Sequence, residues 1–137
     1  MNPFRAFLDT HREKAPLALR LAFGAHLMFV STHLFSPAGQ RAFAEYLASI
    51  HVPYPLLSAY LAHATEFFGG LALVLGILVR PAAAALVFNF LVAVGVALQG
   101  QPYVKQAPAI QMLAVSVYFL VNGAGAWSLE RLVRKRI

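Results

Sequence analysis

Residues 56–79, LLSAYLAHATEFFGGLALVLGILV, decide the fold of this chain. They form an apolar run that contains a single charged side chain, Glu66. The hydrocarbon core of a bilayer is about 30 Å thick, and an apolar helix of ~20 residues is long enough to cross it. This stretch therefore predicts a transmembrane helix.

The composition of the whole chain agrees with a membrane protein. Of its 137 residues, 60% are hydrophobic and 12% are charged, whereas soluble domains carry about 25% charged residues. A small soluble domain has too much surface for so few charges. The chain has no cysteine, which excludes disulfides and thiolate metal sites.

Three further apolar segments predict three further spans, at residues 17–35, 82–98 and 109–127. The first of them would extend about 28 Å as a helix, close to the thickness of the hydrocarbon core. Arg80 and Pro81 predict a tight turn between the second and third spans. The predicted fold class is all-α: one integral membrane domain, residues 1–137, built as a four-helix transmembrane bundle with short interfacial helices.

Three segments outside the spans carry the remaining features. Residues 1–15 predict an amphipathic interfacial segment, and residues 128–137 form a basic tail suited to anionic lipid headgroups. Residues 36–55 predict a second interfacial helix. Its apolar side holds Phe43, Tyr46, Leu47 and Ile50, and its polar side holds Gln40, Arg41 and Glu45.

The positive charges predict the orientation. With four spans both termini lie on one side, together with nine Lys and Arg residues, while Arg41 and Lys105 lie on the other. Cytoplasmic segments of membrane proteins are enriched in Lys and Arg, so we expect cytoplasmic N and C termini. Because the charges lie at the ends of the spans, orientation explains the net charge of +6 better than a nucleic-acid partner does.

Glu66 is the most informative residue. A charged side chain at the centre of a bilayer costs at least ~2.5–3.5 kcal/mol, so Glu66 should face the bundle or a hydrated cavity. Helical periodicity separates two faces of its span. The inward face holds Ala59, His63, Glu66 and Gly70, and the lipid face holds Leu61, Phe68 and Leu75.

Histidines are predicted close to Glu66. Counting the helical rise from the ends of the spans places His26, His63 and Glu66 at one depth in the outer half of the bundle. His33 lies above them, near the outer surface. Three other polar side chains have simpler interpretations: Arg20 is expected to extend its head to the membrane interface, and Asn89 and Asn122 to form interhelical hydrogen bonds.

Three kinds of site fit this cluster. The first is a pocket for a quinone or another lipid-soluble molecule. There Glu66 and His63 would be catalytic, because they can exchange protons with a redox-active carbonyl, and His26 and His33 would also contact the ligand. The second is a metal or haem site built from facing histidines, although the sequence has no tight ligand motif. The third is structural, with Glu66 tying helices together.

Several motifs resemble the DoxX family of small prokaryotic membrane proteins. The strongest is Glu66-Phe67-Phe68-Gly69-Gly70, followed by Leu75-Gly76 and by Arg80 with Ala82-Ala83. Further segments that carry the resemblance are Leu19-Arg20-Leu21 with Gly24, His33, Val52-Pro53, and Gly123 to Glu130. Together they cover about residues 17–132. The chain departs from the family pattern after His33, where it lacks a lysine, at His51, where glycine is usual, and at Glu130, where aspartate is more usual.

The resemblance implies a four-helix fold in the prokaryotic plasma membrane. It also implies a subunit of a quinone-dependent oxidoreductase, because related proteins include such subunits. A redox partner protein would then be required. The alternatives are a non-enzymatic scaffold or assembly protein and a small-solute transporter, and a homodimer would be compatible with each.

Overall fold

The computed structural model describes residues 2–137, which form helices and no strands. The α-helices are α1 Pro3–His11, α2 Ala15–Val30, α3 Pro37–Ser49, α4 Pro55–Leu75, α5 Val79–Val92, α6 Tyr103–Asn122 and α7 Leu129–Arg136. A π-helical turn, Ala93–Ala97, continues α5. Four helical stretches are long and apolar enough to cross a membrane: Pro3–Phe35, Pro55–Leu75, Val79–Ala97 and Tyr103–Asn122. The all-α architecture with four membrane-length helices is confirmed.

The four long helices pack as a bundle around one apolar core. α4 packs against α2, α3 and α5, and α5 packs against α6. Phe23 of α2 stacks on Phe119 of α6, with ring centroids 6.4 Å apart, and this contact joins the first span to the last. The largest buried apolar side chains of the core are Phe23, Leu27, Leu73, Val79, Leu86, Phe90 and Phe119.

Two glycines allow α2 and α4 to touch backbone to backbone. A Cβ atom added to Gly24 would lie 2.6 Å from the carbonyl oxygen of Gly70, and a Cβ added to Gly70 would lie 2.6 Å from that of Gly24. Neighbouring Gly69 faces Leu86 of α5. Small residues at helix crossings are the usual means by which transmembrane helices approach closely. Gly69 and Gly70 thus bring the polar side of α4 close to α2 and α5.

The two predicted faces of α4 are confirmed. Ala59 and Gly70 are buried, whereas Leu61 and Phe68 are 59% and 57% exposed on the protein surface. Since the helix is long and apolar, the exposed side is the one that lipid would cover.

The turn between α4 and α5 lies earlier than expected. α4 ends at Leu75 because Gly76 adopts a left-handed conformation, with φ of 70°, and its amide bonds back to the carbonyl of Ala72. Glycine takes this conformation without steric cost. Arg80 and Pro81 therefore lie in the first turn of α5, where a proline leaves no helical hydrogen bond unmade.

The predicted limits of the fourth span, 109–127, are also wrong. α6 begins at Tyr103 and includes Pro108, because the carbonyl of Pro102 accepts from the amides of the first turn. The helix ends at Asn122, where Gly123 takes φ of 71° and ψ of −157°, a conformation accessible mainly to glycine. The residues between Asn122 and Ser128 form a loop instead of the last turn of a span.

Arg20 does not extend to the membrane interface as predicted. It is 1% exposed, and its guanidinium donates to the carbonyl oxygens of Ala124 at 3.0 Å and Trp127 at 2.6 Å. The loop after α6 supplies backbone carbonyl acceptors, and the hydropathy pattern of the sequence does not reveal them. Arg20 thus fastens the loop before α7 to the first span.

Candidate functional site

Glu66 lies in α4 and is bound by a neighbouring helix. Its Oε1 accepts a hydrogen bond of 3.0 Å from Nδ2 of Asn89 in α5. Asn89 forms the interhelical bond that the sequence predicted, whereas the side chain of Asn122 bonds within its own helix, to the carbonyl of Tyr118. A carboxylate inside a bundle needs such a donor, since leaving it unpaired is costly.

Two cavities flank the carboxyl group of Glu66. The first, of about 310 Å³, lies between α3, α4 and α5. Its main lining residues are Phe43, Leu47, Leu61, Thr65, Glu66, Phe88, Asn89 and Val96. The second, of about 320 Å³, lies between α2, α3, α5 and α6. Its main lining residues are His26, Val30, Phe43, Tyr46, Glu66, Phe90, Lys105 and Met112. We call them the α5 cavity and the α6 cavity.

Helix α3 forms a wall of both cavities. Phe43 lines each of them, and the buried side chain of Leu47 lines the α5 cavity. The hydroxyl group of Tyr46 donates to the carbonyl oxygen of Ala97, at the end of the π-helical turn. Turns of this kind free backbone carbonyls from the regular helical pattern and are frequent at functional sites. The predicted interfacial helix is therefore packed over one end of the bundle, which we call the α3 end.

His63 and His33 lie together behind Phe43. The His63 ring is 4.9 Å from that of Phe43 and 5.9 Å from that of His33, measured between centroids. Nδ1 of His63 is 2.9 Å from Oε1 of Gln40. Gln40, expected on the polar outer side of α3, is instead completely buried, because it reaches the imidazole across the helix contact. His63 and Glu66 lie close in sequence but do not hydrogen-bond each other, since each has a partner on another helix.

The histidines are thus divided between two places. His26 lines the α6 cavity with Glu66 and Lys105. His33 is exposed and belongs with His63 and Gln40. Within residues 2–137 no group of three or more His, Cys, Asp or Glu side chains lies close enough together to hold a metal ion. His63 lines neither cavity, so the two cavities do not present His26 and His63 to one haem.

Sequence reasoning missed the residues that only tertiary packing brings to Glu66. The sequence predicts an interhelical bond for Asn89 but not its partner, and it predicts Phe43 on a surface helix. Lys105 falls between the predicted third and fourth spans, but it lies in the first turn of α6. The apolar spacing of α3 was the available signal, because a helix with a strong apolar side needs something to cover that side.

The arrangement offers one carboxyl group in mostly apolar walls, with Asn89 and Thr65 beside it in the α5 cavity and His26 and Lys105 in the α6 cavity. Phe88 and Val96, which line the α5 cavity, are 70% and 47% exposed on the protein surface. The α5 cavity therefore borders the surface that lipid would cover. A molecule with an apolar body and one or two polar atoms matches this chemistry.

Four membrane-length helices around a half-buried carboxyl group define a small multi-pass membrane protein. The family model of DoxX matches residues 15–99, which are more than half of the chain and include α2 to α5. The chain belongs to the DoxX family. The motif from Glu66 to Gly70 lies within the match, and the segment from Gly123 to Glu130 lies beyond it. No curated protein and no solved structure matches the chain.

Proposed function

We propose that this protein is a membrane subunit of a quinone-linked redox complex and that it binds a quinone-like lipid in the cavities beside Glu66. The observation that supports this most directly is that Glu66 lines both cavities while Asn89 holds its carboxyl group. A polar atom of a ligand in either cavity would therefore lie near the same carboxyl group.

The residues present fit a quinone headgroup. Small-molecule pockets usually enclose about 300–1,000 Å³ and combine apolar walls with a few polar groups. The two cavities, of about 310 and 320 Å³, lie at the lower end of that range. Aromatic rings such as Phe43 and Phe88 supply flat apolar surface, and Glu66 and Asn89 supply polar contacts to carbonyl oxygens.

Each polar residue has a defined part in this proposal. When bound, the quinone supplies the redox chemistry by accepting or giving up electrons with protons. Glu66 exchanges a proton at its carboxyl oxygens, and Asn89 fixes the carboxyl group through Nδ2. His26 contacts a ligand in the α6 cavity. His63 acts as a positioning residue, because its ring packs against Phe43 and its Nδ1 lies beside Gln40. His33 packs against His63 and acts through it.

The proposal includes a partner and a location. A redox partner protein exchanges electrons with the quinone, since the sequence has no cysteine and no nucleotide-binding motif of its own. The bias of Lys and Arg toward the end with the chain termini supports an orientation with that end in the cytoplasm of a prokaryotic plasma membrane. The cavities then open in the outer half of the bilayer.

The test compares what copurifies with three forms of the detergent-solubilised protein. Lipid extracts of wild type, Glu66→Gln and Glu45→Gln are analysed by mass spectrometry and visible spectroscopy. Glu45 is exposed on α3 and lines neither cavity, so it controls for the loss of one carboxylate. We expect about one quinone per chain in wild type and Glu45→Gln, and at least tenfold less in Glu66→Gln. An empty wild type that also fails to bind added ubiquinone or menaquinone would contradict the proposal.

A scaffold function is the second candidate, and the bond between Asn89 and Glu66 favours it. The bond joins α4 to α5 and could serve assembly alone. Glutamine at position 66 keeps an oxygen that accepts from Asn89, so the hydrogen bond between α4 and α5 is retained in Glu66→Gln. A scaffold predicts that this variant retains every copurifying lipid and partner, whereas the quinone site predicts selective loss of the quinone.

A further inference from the structure

A separate cavity lies at the opposite end of the bundle, where α5 begins and α6 ends. It encloses about 360 Å³. Three arginines line it, Arg80 from α5 and Arg131 and Arg134 from α7, together with the loop Gly123 to Gly125 and Glu130. We call it the arginine cavity. It is distinct from the cavities beside Glu66, whose lining residues it does not share.

The charges in the arginine cavity are not balanced. Glu130 is its one lining acid, and its carboxylate lies 3.7 Å from the guanidinium of Arg134, four residues away. Within residues 2–137 neither Arg80 nor Arg131 forms an ion pair. Arg131 also borders a neighbouring cavity that Asp9 and Glu13 line, but within residues 2–137 it forms an ion pair with neither of them. Two guanidinium groups therefore line the arginine cavity without an ion-pair partner, and arginine stays charged at any physiological pH.

The backbone holds Arg80 at the cavity. Its Nη2 donates to the carbonyl of Val121 at the end of α6, and its Nε lies 3.2 Å from the position that a Cβ of residue 123 would take. Gly123 thus leaves space for the side chain to lie across the turn. Arg131 has no such tie: within the described part of the chain its guanidinium donates no hydrogen bond, which leaves its donors available for a ligand.

The residues around the arginine cavity indicate which kind of anion would reach it. On α7 the apolar residues Leu132 and Val133 are more than half exposed, and the neighbouring Trp127 is also exposed. A short helix with an apolar side and a basic side lies in the headgroup region of a membrane. The arginines of α7 then lie at the depth of lipid phosphates.

We infer that the arginine cavity binds the phosphate group of an anionic phospholipid, with Arg80 and Arg131 as the two principal donors. Arginine matches phosphate oxygens with two parallel N–H donors. The site goes beyond a diffuse contact of the basic tail with lipid, because Arg80 comes from another helix 51 positions earlier in the chain. It is independent of the proposed quinone site.

Native mass spectrometry of the full chain, released from detergent, tests this inference. The added lipids are phosphatidylglycerol and, as a ligand without phosphate, diacylglycerol with the same acyl chains. The variants are Arg131→Gln and, as a matched control on the same helix, Arg136→Gln, which removes the same charge outside the cavity. We expect wild type to retain phosphatidylglycerol over diacylglycerol. Loss of one charge-assisted contact should reduce phosphatidylglycerol binding about tenfold in Arg131→Gln, with less than about a twofold change in Arg136→Gln.

Three outcomes would overturn the inference. Equal binding of the two lipids by wild type would show that the phosphate is not recognised. Equal losses in Arg131→Gln and Arg136→Gln would show that only the net charge of the tail matters. Displacement of phosphatidylglycerol by an equal concentration of glycerol 3-phosphate would assign the site to a soluble phosphate compound. Arg131→Lys, which keeps the charge but loses the paired donors, serves as the second variant, and we expect it to bind with an intermediate loss.

Discussion

The guanidinium of Arg20, in the first span, donates a 2.6 Å hydrogen bond to the carbonyl oxygen of Trp127, which lies 107 residues later. A second bond reaches Ala124. Within residues 2–137 the Nε of this buried side chain has no partner. Two backbone carbonyls therefore stabilise a buried cation. The same two hydrogen bonds hold the loop between α6 and α7 against α2.

Replacing Arg20 should loosen this loop. Arg20→Gln removes two charge-assisted bonds and leaves buried carbonyls unsatisfied, so we expect a loss of about 2–4 kcal/mol in stability. Limited trypsin digestion should also cut faster at Arg131 and Arg134, since α7 is no longer fastened. Arg41→Gln, which removes an exposed charge on α3, away from this loop, is the control. Unchanged digestion of Arg20→Gln would show that the loop is held by other contacts.

Gly70 and Gly95 should respond differently to one added methyl group. Gly70→Ala places Cβ 2.6 Å from the carbonyl oxygen of Gly24, so α2 and α4 must separate. We expect a loss of about 1–3 kcal/mol, the usual cost of overpacking. A Cβ on Gly95 meets nothing within 4 Å, and Gly95→Ala should be neutral or stabilising by up to about 1 kcal/mol. Thermal unfolding in one detergent compares the two variants, and equal melting temperatures would refute the close helix crossing.

Much of the fold could be predicted because lipid imposes simple rules on a sequence. Long apolar runs predict spans, and the single carboxylate of α4 predicts the face on which Ala59 and Gly70 are buried. The ends of the helices were harder to predict. They depend on the backbone conformations of Gly76 and Gly123, which leave the hydropathy pattern unchanged.

The candidate site was predictable only in part. Glu66 and His26 line one cavity, in keeping with the depth that helical rise gave them. The sequence does not pair Asn89 with Glu66 or Gln40 with His63. Helical rise gives the depth of a residue, but it does not give the rotation of one helix against its neighbour. The position of Arg20 was predicted wrongly for a different reason, because its acceptors lie in a loop that was predicted to be helix.

The bond between Asn89 and Glu66 should appear as an energetic coupling. Asn89→Ala alone leaves the carboxyl group of Glu66 without its donor, and Glu66→Ala alone leaves the amide without its acceptor. The double variant leaves neither, so its destabilisation should be smaller than the sum of the two by about 0.5–3 kcal/mol. Unfolding of the four proteins in one detergent measures the coupling. Simple additivity would mean that the bond contributes nothing to stability.

The hydroxyl group of Tyr46 should control how firmly α3 closes the α3 end. Tyr46→Phe keeps the ring but removes the donor to the carbonyl of Ala97, at a cost of about 1 kcal/mol. Hydrogen exchange of the α3 amides, residues 38–49, should then accelerate about fivefold if α3 opens as a local unit. Tyr54→Phe, at a tyrosine that is 78% exposed, is the matched control. Because α3 walls both cavities, Tyr46→Phe should also release a bound quinone faster while leaving Glu66 and Asn89 intact. Unchanged exchange in α3 would show that the packing of Ala44 and Leu47 holds the helix without the hydroxyl group.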